Sequence, residues 1–441
     1  RRHTRYWRDW SSDVCSSDLQ TPPRFCDPLS GRETMNTSTA SQTRWPADMP
    51  LAARQVLPLL QKLQHGRLHL RLPDGSESVC GQGEQPSATL VVHDWAVFAA
   101  AMRSGDIGFA ESFIAGEWET PDLCALLRVF IANRNALEDV IYGHWWGQLA
   151  HRLRHWLNRN TRRNSRKNIH AHYDLGNAFY SLWLDPTMNY SSAWFDGNPM
   201  QPMDQAQDAK VRRALRMVNL TPGHQQRLLE IGCGWGALAE IATREWGVDF
   251  TGVTLSEQQL AHAQKRLADQ GLGAQAQFRF QDYRDITDPA FDAICSIEMI
   301  EAVGQAYWPT YFETVARLLK PDGRACIQSI VIADAYFDRY VRGTDFIQQY
   351  IFPGGCLPSP SAFRQQAQAA GLRVVDEFAF GLDYAHTLRL WRERFMQVKP
   401  QVLGLGFDER FVRIWQFYLA YCEAAFMEAN TDVVQYTLLK P

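Results

Sequence analysis

No stretch of this 441-residue chain stays apolar over the ~18 residues that a bilayer-spanning helix requires, so the sequence holds no candidate for one. Charge of one sign is also lacking. With 45 Lys and Arg against 48 Asp and Glu, the formal net charge is −3, which gives no bulk attraction to nucleic acid. Of the nine cysteines, the seven beyond residue 34 (80, 124, 233, 295, 326, 356 and 422) are scattered, without the close pairs of a metal site. That pattern suits a reduced, cytoplasmic enzyme without a structural metal. No internal repeat is visible, and the first residues lack the apolar core of a signal peptide. Instead, residues 9–19 read as one frame of a common sequencing-library adapter. The expectation is that 1–34 is a non-native leader and that the native start is Met35.

What is present is organised around Leu228-Leu-Glu-Ile-Gly-Cys-Gly-Trp-Gly236. An apolar run breaks into alternating glycines and then into a helical pattern, so the segment predicts a strand, a tight turn and a helix N-terminus. Glycine lets such a turn approach a ligand closely, and the helix offers free N–H groups. On its own the pattern is weak. Further strands are expected at 248–255, 277–283, 291–297 and 324–332, alternating with helices. Ser256 and Gln259 supply the pattern of a capping box. This alternation predicts an α/β doubly wound parallel sheet that takes ligands at the strands' C-terminal ends. The third glycine comes one residue early for a dinucleotide fingerprint, and no acidic residue ends the second strand. Both features favour S-adenosylmethionine.

Four motifs in order carry a resemblance to a family: Glu230-Ile-Gly-Cys-Gly-Trp-Gly236, Gly252-Val-Thr-Leu-Ser256, Gln281-Asp-Tyr-Arg-Asp285 and Tyr350-Ile-Phe-Pro-Gly-Gly-Cys-Leu-Pro358. Together they resemble the cyclopropane-fatty-acyl-phospholipid synthases, from about Gly66 to the C-terminus. The resemblance implies a Rossmann-like, seven-stranded methyltransferase sheet over 170–441 and a small N-terminal α+β domain over 51–143 that binds lipid. It further implies cofactor contacts from Tyr190, Ser191, Glu230, Gly232, Gly234, Gly236, Thr254, Gln259, Asp282 and Tyr283.

Between these parts, 35–50 is polar and expected to be disordered, and 144–169 is expected to form a basic linker helix. Trp145, Trp146, Leu149, Leu153, Trp156 and Leu157 alternate there with arginines, without any Asp or Glu from 145 to 167. Such a helix suits an anionic membrane surface, although a solvated linker has the same composition. The expected location is cytoplasmic, on the inner face of the membrane, and a homodimer is left open. His170 and His172 open the catalytic half without a clear chemical role.

The catalytic shell is likewise implied by the resemblance. Glu301 matches the family's active-site glutamate, while Glu298 reads as a carboxylate favouring a helix N-terminus. If that turn is helical, the two share a face. Gln328 stands where some members have His; an amide can hold an anion but cannot act as its base. Ile330 corresponds to a backbone contact with bound bicarbonate, and Tyr384 to a tyrosine that hydrogen-bonds it. Ser192 takes a position where members often have Cys. Cys422 matches an active-site cysteine, but no His or Lys flanks it to lower its pKa, and a buried structural role reads equally well. The aromatic-rich insertion at 333–356 would cover an acyl chain.

The activity implied is S-adenosylmethionine-dependent transfer of a methylene to cis double bonds of phospholipid acyl chains, through a carbocation that loses its proton to bicarbonate. Two alternatives stand beside it: a methyl- or methylene-branched product, and a non-catalytic lipid-binding protein.

Overall fold

The structure, a computed structural model, describes residues 49–135, 137 and 175–441. The leader at 1–34, the basic helix at 144–169, and His170 and His172 lie outside the described residues. Those described belong to one compact unit, Pro46–Pro441. Among them, no helix is long and apolar enough to cross a membrane.

The N-terminal part runs α1 (Leu51–Leu60), β1 (Arg67–Arg71), β2 (Glu77–Cys80), β3 (Ser87–Val92), α2 (Ala96–Ser104), α3 (Asp106–Ala115), β4 (Trp118–Glu119) and α4 (Leu123–Ala132). Its sheet has the order β2-β1-β3-β4. Strict alternation in β1 turns Leu68 and Leu70 inward, as a sheet with one buried face requires. Trp118 ties the helices to the sheet. Its ring stacks on Phe109 with centroids 4.2 Å apart, and its indole N–H donates to the Phe109 carbonyl at 3.0 Å.

The catalytic part begins with α5 (Asn177–Trp183) and α6 (Met203–Met217), then β5 (Arg227–Ile231), α7 (Ala237–Ile241, continued by a π turn to Trp246), β6 (Asp249–Thr254), α8 (Glu257–Asp269), β7 (Ala276–Phe280), β8 (Phe291–Ile297), α9 (Trp308–Leu318) and β9 (Leu319–Ile332). It ends with α10 (Asp334–Tyr340), α11 (Phe346–Tyr350), α12 (Pro360–Ala369), β10 (Arg373–Ala379), α13 (Gly381–Gln397), α14 (Lys399–Gly404), α15 (Glu409–Met427) and β11 (Thr431–Leu439).

The seven-stranded sheet has the order β10-β11-β9-β8-β5-β6-β7. Strands β5 to β9 pair in parallel, whereas β11 is antiparallel to both neighbours. The chain steps outward from β5 to β7 and then returns to β8 on the other side of β5. That reversal opens a crevice at the C-terminal ends of β5 and β8, where ligands of such sheets bind.

Two expectations need correction here. The third strand ends at Phe280, and residues 283–285 form a 3₁₀ turn instead. The capping box is half made. Ser256 Oγ accepts the Gln259 N–H, but the Gln259 side chain accepts the Thr254 hydroxyl at 2.8 Å rather than reaching back to Ser256. The Ser256 N–H itself donates to Thr254 Oγ1 at 3.2 Å.

Helix α15 joins the two parts. Arg413 donates to the Phe113 carbonyl at 2.7 Å and lies over its ring, and Arg128 pairs with Glu428 at 2.7 Å.

Candidate active site

A first cavity opens at the crevice, walled by the glycine turn, the ends of β6 and β8 and the loop before α6. Tyr190, Ser191, Glu230, Gly232 and Gly234 line it, as do Thr254, Gln259, Asp282 and Tyr283. Gly236 does not. A Cβ there would come 3.0 Å from Ala263 Cβ, so the third glycine seats α7 against α8 rather than touching a ligand. Gly232 is pressed by Met299, only 2.7 Å from where its Cβ would be. At Gly234, with φ +50°, an added Cβ would meet no protein atom within 4 Å.

The cavity fits S-adenosylmethionine on its own chemistry. Glu230 is buried with Oε2 unpartnered, an orphaned acceptor suited to the ammonium group of the cofactor's amino-acid end. Burial pushes its carboxyl up to about 8, and Lys210 pulls it back. Asp282 is held in place by Arg284, whose backbone N–H and Nε donate to Oδ1 at 3.0 and 2.8 Å. Trp235 fastens the start of α5 over this cavity through Asn177 Oδ1 at 2.8 Å.

A second, largely apolar cavity runs from Glu298 and Glu301 between the 333–356 insertion and α15, with Phe352, Leu388, Tyr418 and Phe426 in its wall. Tyr190, Glu298 and Ala302 line both cavities. The two therefore meet at the carboxylates.

At that junction the sequence reading is corrected. Glu298 is the centre of the polar network, not a carboxylate merely favouring a helix N-terminus. It adopts φ +48°, a conformation uncommon for a residue with a side chain and typical of functional sites. Its Oε1 accepts the Ser192 N–H at 2.8 Å and Gln328 Nε2 at 2.7 Å. Its Oε2 accepts the Tyr384 hydroxyl at 2.6 Å. The donors expected to cradle bicarbonate are thus turned onto a carboxylate of the chain itself. Ser192 contributes through its backbone, since its hydroxyl donates to the Ala193 carbonyl at 2.9 Å.

Glu301 occupies a different place. Its Oε1 accepts the Ile330 N–H, and its Oε2 is buried without a partner. Cys422 lines the second cavity, and burial pushes its thiol well up, which disfavours the thiolate that a nucleophile requires.

The two carboxylates are driven apart in charge. Burial raises both, but Glu298 is held down by Lys210 and by its three donors. Glu301 is pushed up to about 8 by burial and then by the neighbouring Glu298. With three donors on its two oxygens Glu298 is placed as the charged member of the pair, and Glu301, with Oε2 unpartnered and its carboxyl pushed up to about 8, as the neutral one.

This has a consequence for stability. Glu301 keeps its proton in the folded chain between the ordinary value of 4.5 and about 8, while the unfolded chain gives it up. Its contribution is thus fully present below 4.5 and lost as pH rises towards 8. Glu301→Gln should leave the melting temperature nearly unchanged at pH 5 and raise it by several degrees above pH 8. Melting curves of the two proteins that run parallel across this range would contradict the assignment.

Three contributors escaped the sequence reading. Besides Glu298, Lys210 is fully buried, with Nζ donating to Ser191 Oγ at 2.6 Å. Burial lowers it to about 8, opposed by Glu298, Asp185 and Glu230. Its signal was available: it sits among Ala206, Gln207, Val211 and Ala214 on the buried face of α6. Gln435 on β11 donates to Gln328 Oε1 at 3.0 Å and to the Lys210 carbonyl at 3.2 Å. Arg213 in turn holds Gln435 Oε1 at 2.7 Å. This leaves Gln328 a single amide orientation, with its NH₂ towards Glu298. Among the described residues, no group of His, Cys, Asp and Glu could hold a metal ion.

Comparison with known proteins identifies the family. A family model described as mycolic acid cyclopropane synthetase matches residues 160–436. The tuberculostearic acid methyltransferase UfaA1 of Mycobacterium tuberculosis is 37% identical over 425 residues, covering 92% of this chain and 98% of its own. The cyclopropane-fatty-acyl-phospholipid synthase of Escherichia coli K12 is 36% identical over 343 residues, covering 77% and 84%. Among solved structures, mycolic acid cyclopropane synthase CmaA1 complexed with SAH and CTAB superposes with a TM-score of 0.58 at 32% identity, covering 62% of this chain and 98% of its own. The chain belongs to the mycolic acid cyclopropane synthetase family and is an S-adenosylmethionine-dependent methyltransferase.

Proposed function

We propose that this enzyme adds a one-carbon group to a cis double bond inside an unsaturated phospholipid acyl chain, with Glu298 in place of a captured bicarbonate. The observation that carries the reading is the junction of the two cavities at Glu298, whose carboxylate already engages three donors. Bound in the first cavity, S-adenosylmethionine supplies an electrophilic methyl group. An alkene is a poor nucleophile, so the chain's own residues act by holding it in a dry pocket at the right distance. The ionised Glu298 stabilises positive charge as it develops on the acyl carbons. A carbocation is a strong enough acid that a hydrogen-bonded carboxylate suffices to take its proton. Tyr384, raised well above its usual range by burial and by Glu298, remains a donor throughout, and Gln328 is locked beside it.

The proton lost comes from the added methyl whether the ring closes or a hydride shift leaves a methylene branch. A carboxylate at the junction therefore serves both products. The branched product is favoured by one finding: the relative matched over 92% of this chain is named a tuberculostearic acid methyltransferase.

The test is turnover on mono-unsaturated phosphatidylglycerol in mixed micelles, in degassed buffer with and without added bicarbonate. The release of S-adenosylhomocysteine should be the same in both, and proton NMR of the product lipid separates ring from branch. Turnover that requires bicarbonate would remove Glu298 from this role.

A further inference from the structure

Lys210 lies on the buried face of α6, outside the walls of both cavities, and reaches the first of them through one side chain. An ammonium group only donates, so in its 2.6 Å contact with Ser191 Oγ the serine is the acceptor. The proton of the Ser191 hydroxyl must therefore point elsewhere. Among the described residues it meets no acceptor, and Ser191 lines the first cavity. The lysine thus makes this hydroxyl a donor towards the cofactor. Helix α6 grips the serine a second time, since Gln207 Nε2 donates to its carbonyl at 2.8 Å.

The connections of Lys210 show which end of the cofactor this donor meets. The next residue, Ser192, gives its N–H to Glu298 at the junction, and the Lys210 carbonyl accepts Gln435 of β11. Ser191 therefore lies on the β8, β9 and β11 side of β5, whereas Thr254, Gln259 and Asp282 line the cavity on the β6 and β7 side. Delivery of the methyl group at Glu298 requires the sulfonium to lie near Ser191. The sulfonium carries the nucleoside on one arm and the amino-acid end on the other. The larger arm extends towards β6 and β7, which leaves the amino-acid end beside Ser191. There its ammonium meets Glu230, and its carboxylate, on the same carbon, needs a donor and a positive charge. Arg284 also lines this cavity but is committed to Asp282 on the far side. A hydroxyl that accepts from a cation is itself a stronger donor, and the Lys210 charge lies directly behind it.

Resting on the reading that the methyl group is delivered at Glu298, we propose that Lys210 is a positioning residue, which fixes the Ser191 hydroxyl as a donor to the carboxylate of S-adenosylmethionine. The pair selects a cofactor that carries this carboxylate. Burial lowers the lysine to about 8, against the pull of Glu298, Asp185 and Glu230, so at pH 7 the cation is present.

The experiment measures binding, so it does not depend on turnover. Calorimetry at pH 7 compares S-adenosylhomocysteine with its decarboxylated counterpart on the full chain, Lys210→Met and Ser191→Ala. The full chain should bind the ligand with the carboxylate roughly tenfold more tightly or better. Each substitution should erase most of that preference and leave the decarboxylated ligand's affinity within about twofold. The double variant should lose no more than either single one, as for residues that act as a unit. A merely structural lysine would weaken both ligands alike. That result, a full chain without preference, or a preference that survives Lys210→Met overturns the assignment. Should Lys210→Met not fold, a preference that survives Ser191→Ala overturns it equally. Absence of methylation on any unsaturated lipid would instead sink the proposed reaction, and the binding contrast would still decide the role of Lys210.

Discussion

Replacing Glu298 with glycine should lower turnover by ~10²–10⁴-fold, the usual worth of a positioned acid–base group, and added bicarbonate or formate should restore much of it. The backbone favours this test. Glu298 adopts φ +48°, where glycine is at home, so the substitution relieves strain instead of adding it. What it leaves behind is a cradle: the Ser192 N–H, Gln328 Nε2 and the Tyr384 hydroxyl all lose their acceptor. Each buried donor left unsatisfied costs ~1–3 kcal/mol, and Lys210 sits close enough to pull on the missing charge. A small carboxylate-shaped anion should therefore enter and take up both the hydrogen bonds and the proton. Glu298→Gln is the companion variant. Its amide fills the space but sets an NH₂ group against donors, so anions should not rescue it. Rates of S-adenosylhomocysteine release against anion concentration decide the matter. Glu298→Gly at full speed without an anion would show that the proton leaves elsewhere.

The site was legible in parts that depend on chain order. The glycine turn and the strands around it follow from strand ends in a doubly wound sheet, whereas Gln328, Ile330 and Tyr384 were named through the family resemblance; the structure brings Gln328 and Tyr384 to Glu298 and the Ile330 N–H to Glu301. Glu298 was misread because spacing alone suggests a helical turn in which it shares a face with Glu301. The structure instead turns left-handed at Glu298 before a short 3₁₀ segment, Ile300–Ala302, and this separates the two carboxylates' partners. No local pattern announces that choice: the backbone N–H of Glu298 is fixed by the Gln328 carbonyl at 2.8 Å, a contact between strands. The missed Gln435 has a similar cause. Strand β11 is buried along its middle on both faces, so it shows no period-two alternation, and its buried Gln435 and Thr437 dilute the apolar run. Ser192 shows the opposite limit. Its side chain drew attention as a departure from cysteine, yet the backbone N–H makes the contact with Glu298, and that would be the same for either residue.

Gly234→Val should reduce S-adenosylmethionine affinity by roughly a hundredfold or more, a loss of about 2.7 kcal/mol, in a protein that still folds. The three glycines of the turn predict different outcomes, which makes the test selective. At Gly232 a Cβ would press on Met299 at 2.7 Å, and at Gly236 on Ala263 at 3.0 Å; substitution there disturbs packing before it disturbs a ligand. At Gly234 a Cβ meets no protein atom within 4 Å, and this residue lines the first cavity. Its side chain would therefore be spent against the ligand alone. The backbone carries a cost as well, since φ is +50°, and a left-handed conformation costs an ordinary residue ~1–2 kcal/mol out of a typical total of ~5–15 kcal/mol. Gly234→Ala separates the two effects. It carries a similar backbone cost but adds only one methyl, so its affinity should fall between those of the glycine and valine proteins, while melting temperatures of the two variants stay close together. Calorimetric titration with S-adenosylmethionine supplies the affinities and thermal melting supplies the fold. Valine and glycine proteins with equal affinity would take the glycine turn out of the cofactor site.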